Sequence, residues 1–413
     1  MQALTVDKGD TAWMLVSTIL VLMMVLPGLA LFYGGLVRTK NMLSILSQVL
    51  GITALAILMW VGWGYSLAFA EGSPLVGGLG KAFLGGVGPG SVVPTFTPGT
   101  GIPELAFVAF QMTFAAITAA LIVGALAERV KFAAIMFFTL IWLTIVYAPL
   151  AHMVWAPGGL IFGMGALDFA GGTVVHVNSG VAGLVGVFFA GKRIGFLREA
   201  TPPHSLALAL VGAGLLWVGW FGFNAGSALE ASGIAAAAMI NTFVAPAAGI
   251  LTWMLIERFV SGKPSLLGGA SGGLAGLVAV TPAAGTAGPL GAMLLAAAAA
   301  FVCYGFVASM KHRLRIDDTL DVFGIHGLGG MVGSLGTALV TAPALGGYGA
   351  SDYSIPGQLA VQAGAVLIAI LWSAAGSALA FWMVKRTIGL RVGGDQEREG
   401  LDLADHGERA YNY

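Results

Sequence analysis

Eleven apolar runs divide this 413-residue chain, each long enough to cross a bilayer as a helix. They lie at about 12–37, 42–70, 104–127, 132–154, 169–190, 205–224, 235–257, 265–281, 288–310, 322–341 and 357–384. In hydrocarbon the backbone must satisfy its own polar groups, and runs of this length do so as helices. The basic residues test the count. With residue 1 outside, the loops after odd-numbered spans carry Arg38, Lys40, Arg129, Lys131, Lys192, Arg193, Arg198, Arg258, Lys263, Lys311, Arg313 and Arg315. The tail adds Lys385, Arg386, Arg391, Arg398 and Arg409, so only Lys8 and Lys81 of the 19 basic residues fall on the other side. The positive-inside rule therefore places the N-terminus outside and the C-terminus in the cytoplasm.

Composition agrees. Charged residues are 9% of the chain and hydrophobic ones 58%, whereas a soluble domain carries about 25% charged residues. The 63 glycines suit closely packed transmembrane helices. Zero net charge suggests no nucleic-acid partner, and the single cysteine, Cys303, forms no intrachain disulfide. The first apolar run is too long for a signal-peptide core, so no cleavable leader is expected. The loop 71–103 reads as irregular, no strand pattern stands out, and 385–413 is the one sizeable polar segment.

Two segments carry a histidine where charge is costly. In "DFAGGTVVHVNSG", Asp168 precedes His176 by eight residues; in "DTLDVFGIHGLGGMVG", Asp318 precedes His326 by eight. Glycines follow each histidine at +4 and +7: Gly180 and Gly183, Gly330 and Gly333. These offsets share a helix face with the histidine and make it smooth. The segments are spans five and ten, which run in opposite directions. This predicts an all-α membrane protein of two inverted five-helix repeats, about 12–190 and 205–341, plus an eleventh helix, about 357–384. If Asp168 caps the outer end of span five, His176 lies ~12 Å below it. His326 lies ~8–12 Å above the opposite edge, so the imidazoles can meet near the middle of a ~30 Å core. One neutral ring can then donate to the other. A lone helical histidine is ordinarily a packing residue; the matched pair points to function. Asp168 itself reads as a helix cap, too far along the helix to touch His176.

Long motifs in order then resemble the ammonium transporter (Amt/Mep/Rh) family, bacterial Amt branch. They are "PGLALFYGGLVRTKN" (27–41), "AFQMTFAAITAALIVGALAERVKF" (109–132), "YAPLAHMVW" (147–155), "DFAGGTVVHVNSGVAGLVGVFFAGKR" (168–193), "GWFGFNAGSA" (219–228), "GKPSLLGGASGGLAGLVAVTPAAG" (262–285), "DVFGIHGLGG" (321–330) and the tail "GLRVGGDQEREGLDLADHGERAY" (389–411). The resemblance implies an eleven-helix subunit with its own pore, assembled as a homotrimer in the cell (inner or plasma) membrane among lipids. It implies a transmembrane domain over 1–384 and a cytoplasmic regulatory tail over 385–413 that packs on neighbouring subunits and helps a PII-type nitrogen regulatory protein dock.

The resemblance also assigns roles. Phe110, Trp155 and Ser227 are implied to recruit ammonium at the outer mouth, with Asp168 as support. Aromatic faces attract a small cation, and a hydroxyl accepts from ammonium N–H, which potassium does not offer. Phe114 and Phe223 are implied to close the pore, with His176 and His326 lining it as a proton relay. Ammonium would be deprotonated at the mouth, ammonia would cross, and the proton would follow, giving net charge transfer. The alternatives are an electroneutral ammonia channel of Rh type and an ammonium sensor; no signalling module follows the tail. An enzyme would need a nucleophile or a metal with a third ligand beside the histidines, and none is expected, nor any cofactor.

Overall fold

The apolar runs set the architecture. The computed structural model describes residues 4–411. Among them, eleven helices are long and apolar enough to cross a membrane. They are α1 (Lys8–Leu36), α2 (Thr39–Phe69), α3 (Glu104–Leu126), α4 (Phe132–Gly163), α5 (Gly172–Ala190), α6 (Leu206–Gly226), α7 (Gly233–Val260), α8 (Leu266–Ala283), α9 (Pro289–Arg313), α10 (Phe323–Val340) and α11 (Ile355–Thr387). The chain is an all-α multi-pass membrane protein. Below, the N face is the side on which α1 begins; eleven crossings put the tail on the opposite, tail face.

Local chemistry starts the helices where the sequence supplies a capping side chain. Ser205, Ser232, Ser265 and Ser354 each accept a main-chain N–H three residues on, opening α6, α7, α8 and α11. The helices then sort by burial. Nearly all of α3 is enclosed. By contrast α7 presents Leu251, Leu255 and Phe259 outward, and α11 presents Leu367 and Leu371. Apolar side chains facing outward suit a lipid surround.

Matched features recur five helices apart. Both α5 and α10 open on a π-helical turn, Gly172–Val177 and Phe323–Gly327, and each turn holds the histidine. The partners α4 and α9 each contain one as well, Leu143–Tyr147 and Phe306–Met310. The glycine faces do what their spacing suggests. A Cβ on Gly180 of α5 would meet Gly327 Cα and N of α10 at 2.3 Å. One on Gly330 of α10 would meet His176 Cβ at 3.0 Å. Gly183 faces Ala125 of α3, and Gly333 faces Ala279 of α8.

Two readings change. First, strands exist: β1 (Thr5–Val6) pairs parallel with β3 (Thr100–Pro103), and β2 (Val92–Pro94) pairs antiparallel with β3, giving the order β1-β3-β2. These strands are two to four residues long, and β2 and β3 end on proline, so they give no alternating signal. Second, α5 starts at Gly172 rather than 169, because Gly171 takes φ +110° and ends the preceding loop.

The tail folds back on its own chain. Leu390 O accepts from Lys131 N, Val392 N donates to Arg129 O, and Val130 bridges to Arg391. Two short helices follow, α12 (Gly394–Glu399) and α13 (Leu401–His406). Glu397 accepts from Ile194 N at 2.6 Å, Asn41 accepts from Leu401 N at 2.9 Å, and Asp402 accepts from Ser44 N at 2.8 Å. Leu401 is fully buried. The polar tail is thus anchored on the helices, with Glu397 and Asp402 buried as well; residues 412–413 of the tail lie outside the described residues.

Candidate functional site, a histidine pair between two cavities

On the N face, a cavity of about 1050 Å³ is lined by Phe110, Phe114, Trp155, Asp168 and Ser227. The four residues proposed for that mouth from the sequence, Phe110, Trp155, Asp168 and Ser227, therefore share one space with Phe114, proposed there for the pore gate. Three helices bring four of them there: Phe110 and Phe114 from the N-terminal half of α3, Trp155 from the far part of α4, and Ser227 from the end of α6. Gly226 makes room for this, since a Cβ there would meet the Phe110 ring at 2.9 Å.

Asp168 organises the mouth from its edge. Its carboxylate accepts main-chain N–H groups from Gly171 at 2.9 Å, Thr173 at 2.9 Å and Val174 at 3.2 Å. It also accepts from Gly172 N and the Thr173 hydroxyl. These donors are the free N–H groups at the start of α5. Its own carbonyl oxygen accepts from the Trp155 indole N–H at 2.9 Å, which fixes that ring. Ser227 donates its hydroxyl proton to Phe223 O at 2.8 Å, so its lone pairs remain for an N–H arriving in the cavity.

The cavity floor is closed. Phe114 and Phe223 stack at 4.1 Å between centroids and 9° between planes. Rings at that separation leave no passage between them. Phe110 lies 4.8 Å and Trp155 5.9 Å from Phe114, so mouth and floor are one aromatic cluster.

Below Phe223 lies His176, ring centroids 6.1 Å apart. Its Nδ1 is 3.2 Å from Nδ1 of His326, with rings 5.3 Å apart and inclined by 27°. His176 is fully buried and Nε2 has no hydrogen-bond partner. This geometry requires one proton at the contact. Two neutral rings sharing Nδ1 atoms hold one proton between them. The donor ring then presents a bare Nε2, and the acceptor ring an Nε2–H. The pair is thus asymmetric, and swapping the tautomers reverses it.

The sequence reading missed Trp220. Its ring stacks on His176 at 5.5 Å, and its N–H donates to the Thr281 hydroxyl at 2.9 Å. "GLLWVGWFGFN" holds two tryptophans on α6, and spacing alone does not say which faces the histidine.

His326 opens on the other side. It lines a tail-face cavity of about 750 Å³ with Arg38, Arg193, Lys311, Asp317 and Asp318. Asp318 caps α10 as Asp168 caps α5, accepting from Val322, Phe323 and Gly324 N at 3.0, 2.8 and 3.3 Å. Burial, helped by the nearby Asp321 charge and opposed by Lys311, pushes the Asp318 carboxyl up to about 6. A chain of ion pairs frames the cavity: Arg38 to Glu128 at 2.9 Å, Glu128 to Arg193 at 3.0 Å, and Arg193 to Asp317 at 2.8 Å. Burial raises the Glu128 carboxyl, but Arg193 and Arg38 outweigh it and hold the group below its usual range. Beneath them the buried Arg129 guanidinium donates to the carbonyls of Gly191, Ala125 and Asp317. It ties the ends of α3 and α5 to the loop before α10. Among the described residues, no group of three His, Cys, Asp or Glu side chains converges as metal ligands would.

Known proteins share this arrangement of helices. The model of the Ammonium Transporter Family matches residues 12–411. The chain is 45% identical over 406 residues to an ammonium transporter from Aquifex aeolicus, covering 98% of this chain and 94% of that one. Among solved structures, Mep2 of Candida albicans superposes with a TM-score of 0.86 at 35% identity, covering 99% of this chain and 91% of that one. A "Sensor Amt Protein" superposes with a TM-score of 0.88 at 28% identity, covering 96% of this chain and 98% of that one. With a family match spanning nearly the whole sequence, the chain belongs to the ammonium transporter family.

Proposed function

We propose that the protein transports ammonium across the cell membrane, with the N face outside and the tail in the cytoplasm. One observation carries the reading. Two cavities approach from opposite faces and are separated by the stacked Phe114–Phe223 pair and the Nδ1-linked His176–His326 pair.

The route follows from desolvation. Moving a bare cation into such an apolar gap is costly, whereas neutral ammonia crosses cheaply. Ammonium is first held at the mouth by Phe110, Trp155 and Ser227. Asp168 supports the site through the α5 N–H groups and the Trp155 anchor and does not touch the ion. After deprotonation at the mouth, ammonia passes Phe114 and Phe223 when their rings turn aside. The His176–His326 pair conducts the proton: a proton received at one Nε2 moves across the Nδ1 contact and leaves from the other. Net charge crosses with each ammonia. The two tautomers of the pair support this, because passing one proton converts one into the other.

The subunit assembles as a homotrimer with lipid around it, and a PII-type regulatory protein docks on the tail face. The folded tail, held by Glu397, Leu401 and Asp402, supplies an ordered surface for such docking. Purified protein in proteoliposomes tests the transport reading. An inward ammonium pulse should evoke a transient current that empty liposomes do not show, while an equal potassium pulse should evoke none. Equal currents with and without protein would sink it.

A further inference from the structure

We infer that Gln111 is a fourth binding group of the N-face site, an acceptor for one N–H of the ammonium ion. The inference rests on reading that cavity as the ammonium mouth. Gln111 follows Phe110 on α3 and lines the same cavity as Phe110, Trp155 and Ser227. It is 7% exposed, and its side-chain carbonyl Oε1 is buried without a hydrogen-bond partner. Nearby polar groups are committed. The Asp168 carboxylate is taken up by the start of α5, the Trp155 N–H by Asp168 O, and the Ser227 proton by Phe223 O.

An unmatched amide oxygen in a buried site costs free energy that an incoming donor recovers. Ammonium has four N–H groups in a tetrahedron. The Ser227 hydroxyl takes one, the faces of Phe110 and Trp155 attract others through their quadrupoles, and Gln111 Oε1 takes a further one. Methylammonium replaces one N–H with a methyl group. An ion with a methyl toward Gln111 leaves the amide oxygen unmatched, so this residue discriminates between the two. A potassium ion meets the same oxygen without donating to it.

The test uses the full-length protein in proteoliposomes on a solid-supported membrane, with ammonium and methylammonium pulses. Gln111→Leu keeps size and removes the acceptor. The expected result is a half-saturating ammonium concentration raised about tenfold, with the methylammonium-to-ammonium ratio of half-saturating concentrations moved toward one. Gln111→Glu strengthens the acceptor; it should lower the half-saturating ammonium concentration and let potassium compete. If both variants keep the wild-type ratio and half-saturation, the inference is overturned. Trp155→Leu in the same assay separates the two levels. Altered affinity there with no change at Gln111 removes only Gln111. No change in any of the three removes the reading of the cavity itself.

Discussion

The closeness of α5 and α10 is the feature most open to a direct perturbation. Gly180 lets the α10 backbone approach so far that an added Cβ would meet Gly327 Cα and N at 2.3 Å. Backbone atoms give way only if the helices part. Restoring an ordinary contact of ~3.5 Å requires about 1 Å of separation. The histidine Nδ1 atoms are 3.2 Å apart. A shift of about 1 Å takes them beyond hydrogen-bond range. Gly180→Ala should therefore cost about 1–3 kcal/mol as overpacking, read as a lower thermal-unfolding midpoint in detergent. The relay should lose a hydrogen bond worth about 1.4 kcal/mol, or roughly tenfold in ammonium-evoked current. Gly330→Ala, where the contact is 3.0 Å to His176 Cβ, should do the same more weakly. Gly214→Ala on α6 meets nothing within 4 Å and serves as the control. A folded Gly180→Ala protein with wild-type current, or a Gly214→Ala loss as large, would refute the reasoning.

Other changes probe the frame around the pore. Glu128→Gln leaves Arg38 and Arg193 facing each other in a buried place and should cost about 3–5 kcal/mol in unfolding experiments. The folded Glu128 carboxyl sits below its unfolded value, so its contribution is full above pH ~4.3 and is lost as pH falls through the folded value; Glu128→Gln should remove that acid-side loss, and an unchanged acid profile would argue against it. Phe223→Ala opens the stacked floor and should let potassium carry current where the native protein excludes it; continued exclusion of potassium would place the barrier elsewhere. Leu401→Asp buries a charge under the tail and should detach it, seen as faster proteolysis beyond residue 390; unchanged proteolysis would mean that α12 and α13 hold the tail without that contact.

The helices were readable because two independent signals, apolar run length and the side of the basic residues, mark each boundary. Histidine spacing and the +4 and +7 glycines located the contact between α5 and α10, since helix periodicity carries that information. What stayed hidden has physical reasons. The strands over Thr5–Val6, Val92–Pro94 and Thr100–Pro103 are too short for alternation to register. The π-helical turns change a register within a single turn, below the resolution of a periodicity argument. Trp220 looked like any packing tryptophan until Thr281 and His176 were beside it, and Gln111 was one amide in an apolar helix. The tail docks largely through main-chain groups of Lys131, Ile194 and Ser44, which no side-chain pattern announces.

The central claim is that ammonia and a proton cross together past the histidine pair. Solid-supported membrane recording on proteoliposomes tests it most directly, with lumenal pH followed in parallel. An ammonium pulse should give a transient positive inward current in the native protein, strongly reduced in His176→Asp and His326→Ala. Ammonia flux with no current in the native protein, or undiminished current and selectivity in both variants, would contradict it.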